Sequence, residues 1–155
     1  MINIVTTGRW PKTDLVVEYA ENVLEHFFRG RLKRNVDVNI VLEHHLAGGC
    51  AGFCTGSKSE ITIEIARNLK RSGEVEHLSL SYMLRTLAHE LVHAKQFIRG
   101  EINGLNEIYN KDRIDYCKAP YNTLPWEHEA FMMEDFLYKV YWQNRNKIDL
   151  SRKVL

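Results

Sequence analysis

Residues 87–94 read Leu-Ala-His-Glu-Leu-Val-His-Ala, and this octet constrains the chain more than any other stretch. His89 and His93 stand four apart, so on an α-helix about one turn separates them and their directions differ by about 40°. Two imidazoles then point the same way and can share one metal ion. Glu90 flanks the same face and can reach a water there without being a ligand. A shuffled chain of this composition would contain His-Glu-x-x-His about 0.03 times, so chance is a poor account of it. The octet also lies in a segment that reads as helix on other grounds. Met83, Leu84, Leu87, Leu91 and Ile98 recur at helical spacing, a start is expected near Ser79 or Ser81, and Gly100 is a C′ stop.

The remaining elements follow from periodicity and turn chemistry. Met1–Thr6 is expected as a short strand and Thr13–Arg29 as a helix, with Val16, Ala20, Val23, Leu24 and Phe27 on one face and Gly30 ending it. Val36, Val38, Ile40 and Leu42 alternate as a half-buried strand. Cys50–Thr55, bounded by glycines, reads as a short irregular strand, and Ile61–Ala66 as a clear one. Arg67–Glu76 reads as a polar link and Glu101–Asn122 as a long polar loop. A last helix is expected from Pro125 to about Asn146, burying Trp126, Ala130, Met133, Leu137 and Tyr141. Strands followed by segregated helices give an α+β class, and 155 residues fit one domain.

Composition excludes several functions. A net charge of +1 lacks the footprint of a nucleic-acid binder, and Arg29, Arg31, Lys33 and Arg34 read as a solvated turn at a helix end. No apolar run reaches the 18 or so residues of a membrane span. The N-terminus does not read as a signal peptide, and Cys50, Cys54 and Cys117 are too few for a disulfide scaffold, so a cytoplasmic, reducing location is expected. Cys50 and Cys54, with His44 and His45 upstream, have the wrong spacing for a zinc knuckle and read as packed residues near turns. Trp10, Trp126 and Trp142 read as core or rim.

A catalytic zinc site needs a third protein ligand and an open position. The metzincin extension fails, because Gln96 and Arg99 stand where its Gly and His belong. Downstream candidates are Glu101, Glu107, Asp112, Asp115, Cys117, Glu127, His128, Glu129 and Glu134, of which Glu127, His128, Glu129 and Glu134 fall on the expected helix. Glu127 and Glu129 flank its buried stripe on opposite sides, so periodicity does not choose between them. Glu127 is favoured by its place in the first turn, where the helix dipole welcomes a negative charge.

Residues 87–96 (LAHELVHAKQ), followed by Leu124-Pro125-Trp126-Glu127-His128-Glu129-Ala130, resemble small zinc metallopeptidases with a glutamate third ligand. These are gluzincin-like and SprT-like proteins of bacteria and their phages. The resemblance covers residues 84–97 and 124–131. It implies one zincin-like domain over 1–155: a small twisted mixed sheet on the metal helix, with a C-terminal helix carrying the third ligand. It assigns Zn2+ to His89, His93 and Glu127, with Ala130 as the small residue that lets two helices approach. Many relatives carry Asp after that Ala, where this chain has Phe131.

The implied function is peptide-bond hydrolysis of a polypeptide substrate, with Glu90 as general base. Tyr109, Tyr116 and Tyr121 are candidates to stabilise an oxyanion, Tyr121 first because it closely precedes the ligand helix. Glu129 would orient a ligand histidine or be solvated. The strand Ile61–Ala66 is expected at the sheet edge, where similar zincins pair with extended substrate. Two other readings share the motif: a zinc-binding structural or regulatory module that cleaves nothing, and a DNA-associated SprT-like protease, against which the near-neutral charge counts.

Overall fold

Alternating apolar residues build the floor of the core. In β2 (Val36–Glu43), Val36, Val38, Ile40 and Leu42 are buried, and in β4 (Glu60–Ala66) so are Ile61, Ile63 and Ile65. The computed structural model describes residues 1–102 and 118–145, together with the backbone of two short strands at Ile108–Tyr109 and Ile114–Asp115. β1 (Ile2–Thr7) runs parallel to β2 with Ile2 opposite Val36, and β2 runs parallel to β4 with Val38 opposite Ile61. β3 (Gly52–Gly56) closes the sheet antiparallel to β4, with Cys54 opposite Ile63. The order β1-β2-β4-β3 is a small mixed sheet.

This order corrects the expectation for Ile61–Ala66. β4 is an interior strand with both edges paired, and the edge strand beside the helix that carries His89 and His93 is β3. Periodicity could not tell the two apart, because an apolar alternation reports one buried face and says nothing about lateral neighbours.

Two helices pack on the sheet, and a third packs on the second of them. α1 (Thr13–Phe28) provides the crossover that parallel β1 and β2 require, and it buries Val16, Tyr19, Ala20, Val23 and Leu24. α2 (Leu80–Arg99) starts at Ser79, whose hydroxyl accepts from the Tyr82 N–H at 3.2 Å, and ends at Gly100 with φ 70°, the left-handed conformation glycine adopts most easily. Tyr19 Oη donates to the Leu84 carbonyl at 2.8 Å, tying α1 to α2 inside the core. α3 (Pro125–Tyr138) packs on α2 through Trp126, Ala130 and Leu137, all buried, and continues as a π-helical turn over Lys139–Gln143. Trp10, Trp126 and Trp142 are buried, as expected.

The expected polar link at Arg67–Glu76 is instead a hairpin, β5 (Asn68–Arg71) and β6 (Glu74–His77). Ser72 and Gly73 have φ of 52° and 80°, which is the two-residue primed turn that matches strand twist. The expected loop Glu101–Asn122 contains β7 (Ile108–Tyr109) paired with β8 (Ile114–Asp115) and a 3₁₀ turn at Tyr121–Thr123. Among the described residues, no helix is long and apolar enough to cross a membrane.

Candidate metal centre

His89, Glu90 and His93 lie in the middle of α2, where every residue from Leu87 to Ile98 is buried. A helix buried all round is held by the sheet below and α3 above, so its polar side chains must find partners inside the protein. Glu127 enters from the first turn of α3. Its Oε2 lies 3.0 Å from His89 Nε2 and its Oε1 lies 3.1 Å from His93 Nε2, while the two Nε2 atoms are 3.2 Å apart. Among the described residues, His89, His93 and Glu127 are the group of His, Cys, Asp and Glu side chains that could hold a metal ion. The choice of Glu127 over Glu129 agrees with this geometry.

The outer nitrogens explain why three acceptors meet. His89 Nδ1 lies 2.8 Å from Glu134 Oε2, and His93 Nδ1 lies 2.8 Å from Gln96 Oε1. Each neutral ring therefore carries its proton on Nδ1 and aims an Nε2 lone pair inward. Two lone pairs and a carboxylate then face one point, and only added protons or a cation reconcile them. The electrostatics of the site point the same way. Burial opposes charging of His89, but hydrogen bonds to Glu127 and Glu134 outweigh it and raise its pKa to about 9. His93 is raised too: burial opposes the charge, and Glu127 overcomes it. Glu127 resists burial and is held far below the usual carboxylate range by His89, His93 and Tyr121.

Glu90 stands apart from the three. It is buried, and that burial pushes its carboxyl up to about 7 even though His93 and His89 pull it down. The side chain lies against β3, where a Cβ built on Gly52 would stand 2.9 Å from Glu90 Oε1 and 2.7 Å from Thr86 Cγ2. Glu90 and His89 line a cleft of about 280 Å³, together with Cys50, Ala51 and Gly52 on one side and Tyr82, Tyr121 and Phe131 on the other. Tyr121 Oη donates to Glu127 Oε2 at 2.8 Å, so the tyrosine expected at the site is there. Burial and Glu127 together hold its phenol protonated.

The side chains of Tyr109 and Asp115, and residues Glu107, Asp112, Tyr116 and Cys117, lie outside the described residues. His128 is exposed and Glu101 is paired with Lys95, so neither competes as a ligand. Cys54 is buried in the sheet and Cys50 is a free, exposed thiol at the cleft; they form no second metal cluster among the described residues. Of the basic run, Arg29, Arg31 and Lys33 are exposed, and Arg34 donates to the carbonyls of Lys58 and Ile98.

Four residues contribute to the site in ways the sequence did not signal. Glu134 was weighed only as a ligand, yet it stands seven residues after Glu127, two turns along the same face, and supports His89. Gln96 follows His93 by three, a spacing that brings helix side chains together. Phe131 sets its ring edge-on to His89 with centroids 4.7 Å apart, beside the Glu134 carboxylate that meets His89 Nδ1. Gly52 carries no sequence signal of its role at all.

No protein-family profile, curated protein or solved structure matches the chain.

Proposed function

We propose that the chain is a zinc-dependent metallopeptidase of zincin-like fold that hydrolyses peptide bonds. The observation that carries this reading is the convergence of two imidazole lone pairs and one carboxylate on a single point, with buried Glu90 beside them in an open cleft. The donor set of two nitrogens and one oxygen suits zinc and leaves a fourth position open. A tetrahedral ion with bonds of about 2.0–2.1 Å spaces its ligand atoms about 3.3 Å apart. The two Nε2 atoms stand 3.2 Å apart and each has a Glu127 oxygen at 3.0 or 3.1 Å, so the three side chains are grouped closely enough to share one ion.

Held by His89, His93 and Glu127, zinc would supply a Lewis acid that polarises a carbonyl and acidifies water. The protein's own groups do the rest. Glu90 takes a proton from water as its oxygen bonds to the carbonyl carbon, and delivers a proton to the amine as the C–N bond breaks. Burial, which raises the Glu90 carboxyl, favours its taking up a proton during the transfer. Tyr121 Oη, at the mouth of the cleft, can turn from Glu127 to a developing oxyanion. The free edge of β3 borders the cleft and can pair with an extended polypeptide. The free thiols of Cys50 and Cys54 suit a reducing, cytoplasmic setting.

The test is Glu90→Gln, assayed on unfolded proteins and a peptide library. The variant should keep its zinc and lose about 10²–10⁴-fold in turnover. Full turnover by the variant would remove Glu90 from the reaction. Zinc binding with no cleavage by the unsubstituted protein would make the chain a binding module.

A further inference from the structure

Behind His93, away from the cleft, lies a polar network with more buried charge than a metal ligand's support requires. Lys95 is 3% exposed, Glu101 8% and Gln96 0%. Gln96 Nε2 donates to the Trp126 carbonyl at 3.0 Å and to Glu129 Oε1 at 3.0 Å. Both acceptors lie on α3, and both demand the NH₂ end of the amide. Its oxygen is thereby forced toward His93 Nδ1 at 2.8 Å. Lys95 Nζ donates to the same Glu129 Oε1 and to Glu101 Oε2 at 3.1 Å, and Arg99 lies 3.9 Å from Glu101 Oε1, so a buried cation faces Glu129 inside the protein.

An amide can face either way, and the two faces have opposite consequences for His93. With the oxygen forward, Nδ1 keeps its proton and Nε2 is a metal ligand. With the NH₂ forward, Nδ1 becomes the acceptor, the proton moves to Nε2, and the ligand lone pair is lost. A carboxylate, which is the partner His89 has in Glu134, needs no such orientation. The amide does, and α3 supplies it.

We propose that Gln96 is a positioning residue whose amide, oriented by the Trp126 carbonyl and by Glu129 facing the Lys95 cation, fixes the tautomer of His93 and so sets the metal affinity of the site from α3. The same helix that delivers Glu127 as a ligand thus also makes His93 one. Glu129, expected either to orient a ligand histidine or to be solvated, acts on His93 through Gln96. This inference rests on the metal-site part of the proposed function and is independent of peptidase activity.

The experiment measures zinc affinity by competition with a chromophoric chelator, on folded protein checked by circular dichroism. Gln96→Ala should weaken zinc binding about 10–100-fold. Gln96→Glu discriminates further. If only an acceptor for His93 mattered, a carboxylate would hold or raise the affinity. The network instead predicts a loss, because the new carboxylate faces Glu129 and the Trp126 carbonyl with no proton to donate. Adding Glu129→Gln to Gln96→Glu should recover most of that loss, since the amide at 129 can donate to the carboxylate at 96. Equal or tighter binding by Gln96→Glu alone, or simply additive losses in the double variant, would overturn the proposal. A readout on the unsubstituted chain guards against misfolded variants: nitrogen-15 imidazole spectra of the zinc-loaded protein should show His93 protonated at Nδ1 and coordinated through Nε2. Coordination through Nδ1 would also overturn it. Absence of zinc binding by the unsubstituted protein would sink the metal site itself, whereas zinc binding unaffected by any Gln96 variant would sink only the positioning role.

Discussion

Glu127 and Glu129 differ by two positions on one helix, and both turn toward α2. Glu127 Oε1 and Oε2 reach the two Nε2 atoms, while Glu129 reaches Lys95 and Gln96. Their replacement by glutamine should therefore have unequal effects. Glu127→Gln removes a ligand anion and should lose zinc during purification, whereas Glu129→Gln should still be isolated with metal, more weakly held. Metal content by mass spectrometry checks this. Full zinc occupancy in Glu127→Gln beside a metal-free Glu129→Gln would reverse the assignment. His89, Glu90 and His93 were legible because their spacing on a helix is itself the geometry. Gln96 was not, since its role depends on which end of its amide α3 selects.

At the scale of elements, the site is a sandwich of one helix between an edge strand and a second helix. α3 approaches α2 closely at Ala130, which is fully buried, and β3 approaches it at Gly52. The second approach positions Glu90. A methyl group at 52 would stand 2.7 Å from Thr86 Cγ2 and 2.9 Å from Glu90 Oε1, closer than such contacts permit. Gly52→Ala should leave zinc in place and displace Glu90, at a stability cost of about 1–3 kcal/mol for overpacking. A shift of roughly 1 Å in such a group can cost about 10²-fold in rate. Peptidase turnover and zinc content measured together decide it: unchanged turnover would mean that β3 does not hold Glu90. The sequence showed Gly52 beside a cysteine-containing strand, but the partner it must avoid lies 38 residues on, across a sheet edge whose neighbours periodicity leaves open.

For the whole molecule, a metal ion at the proposed site would compete with protons for the same three donors, and the sign of the competition follows from the shifts. His89 is raised to about 9, His93 is raised, and Glu90 is raised to about 7. A raised pKa means tighter proton binding in the folded state. The stability it contributes is complete below the unfolded value and is lost as pH rises through the folded one. Protein stripped with a chelator should therefore melt at lower temperature at pH 8.5 than at pH 6. Glu127 is lowered, so its contribution disappears instead as pH falls below the ordinary carboxylate range. Zinc affinity should rise over the interval in which the stripped protein weakens, because the histidines must shed protons to bind. At a free metal concentration of 100 times Kd, binding adds about 2.7 kcal/mol, or about 5–10 °C in Tm for a chain of this size. Thermal melts with and without zinc at both pH values test the sign: a zinc-induced rise in Tm that is larger at pH 6 would contradict it.

Local pattern in the chain was enough for the α+β class, the three helices and the four strands of the main sheet, but not for the two hairpins. It also determined the two histidines and Glu90, because these are properties of local period and spacing: residues four apart share a helix face wherever the helix lies. For a third residue to join the histidines, it favoured the later helix and Glu127 on it among several candidates. Only the tertiary structure decided that Glu127 meets His89 and His93, that Glu134 and not a residue at 131 supports His89, that β3 and not Ile61–Ala66 forms the sheet edge, and that Glu129 acts through Gln96. Each of these is a contact between segments separated in the chain by 30 or more residues, or a choice of lateral neighbour in a sheet. Hydrophobic period fixes which face of an element is buried; it does not fix what lies against that face, and the chemistry of this site is made across those faces.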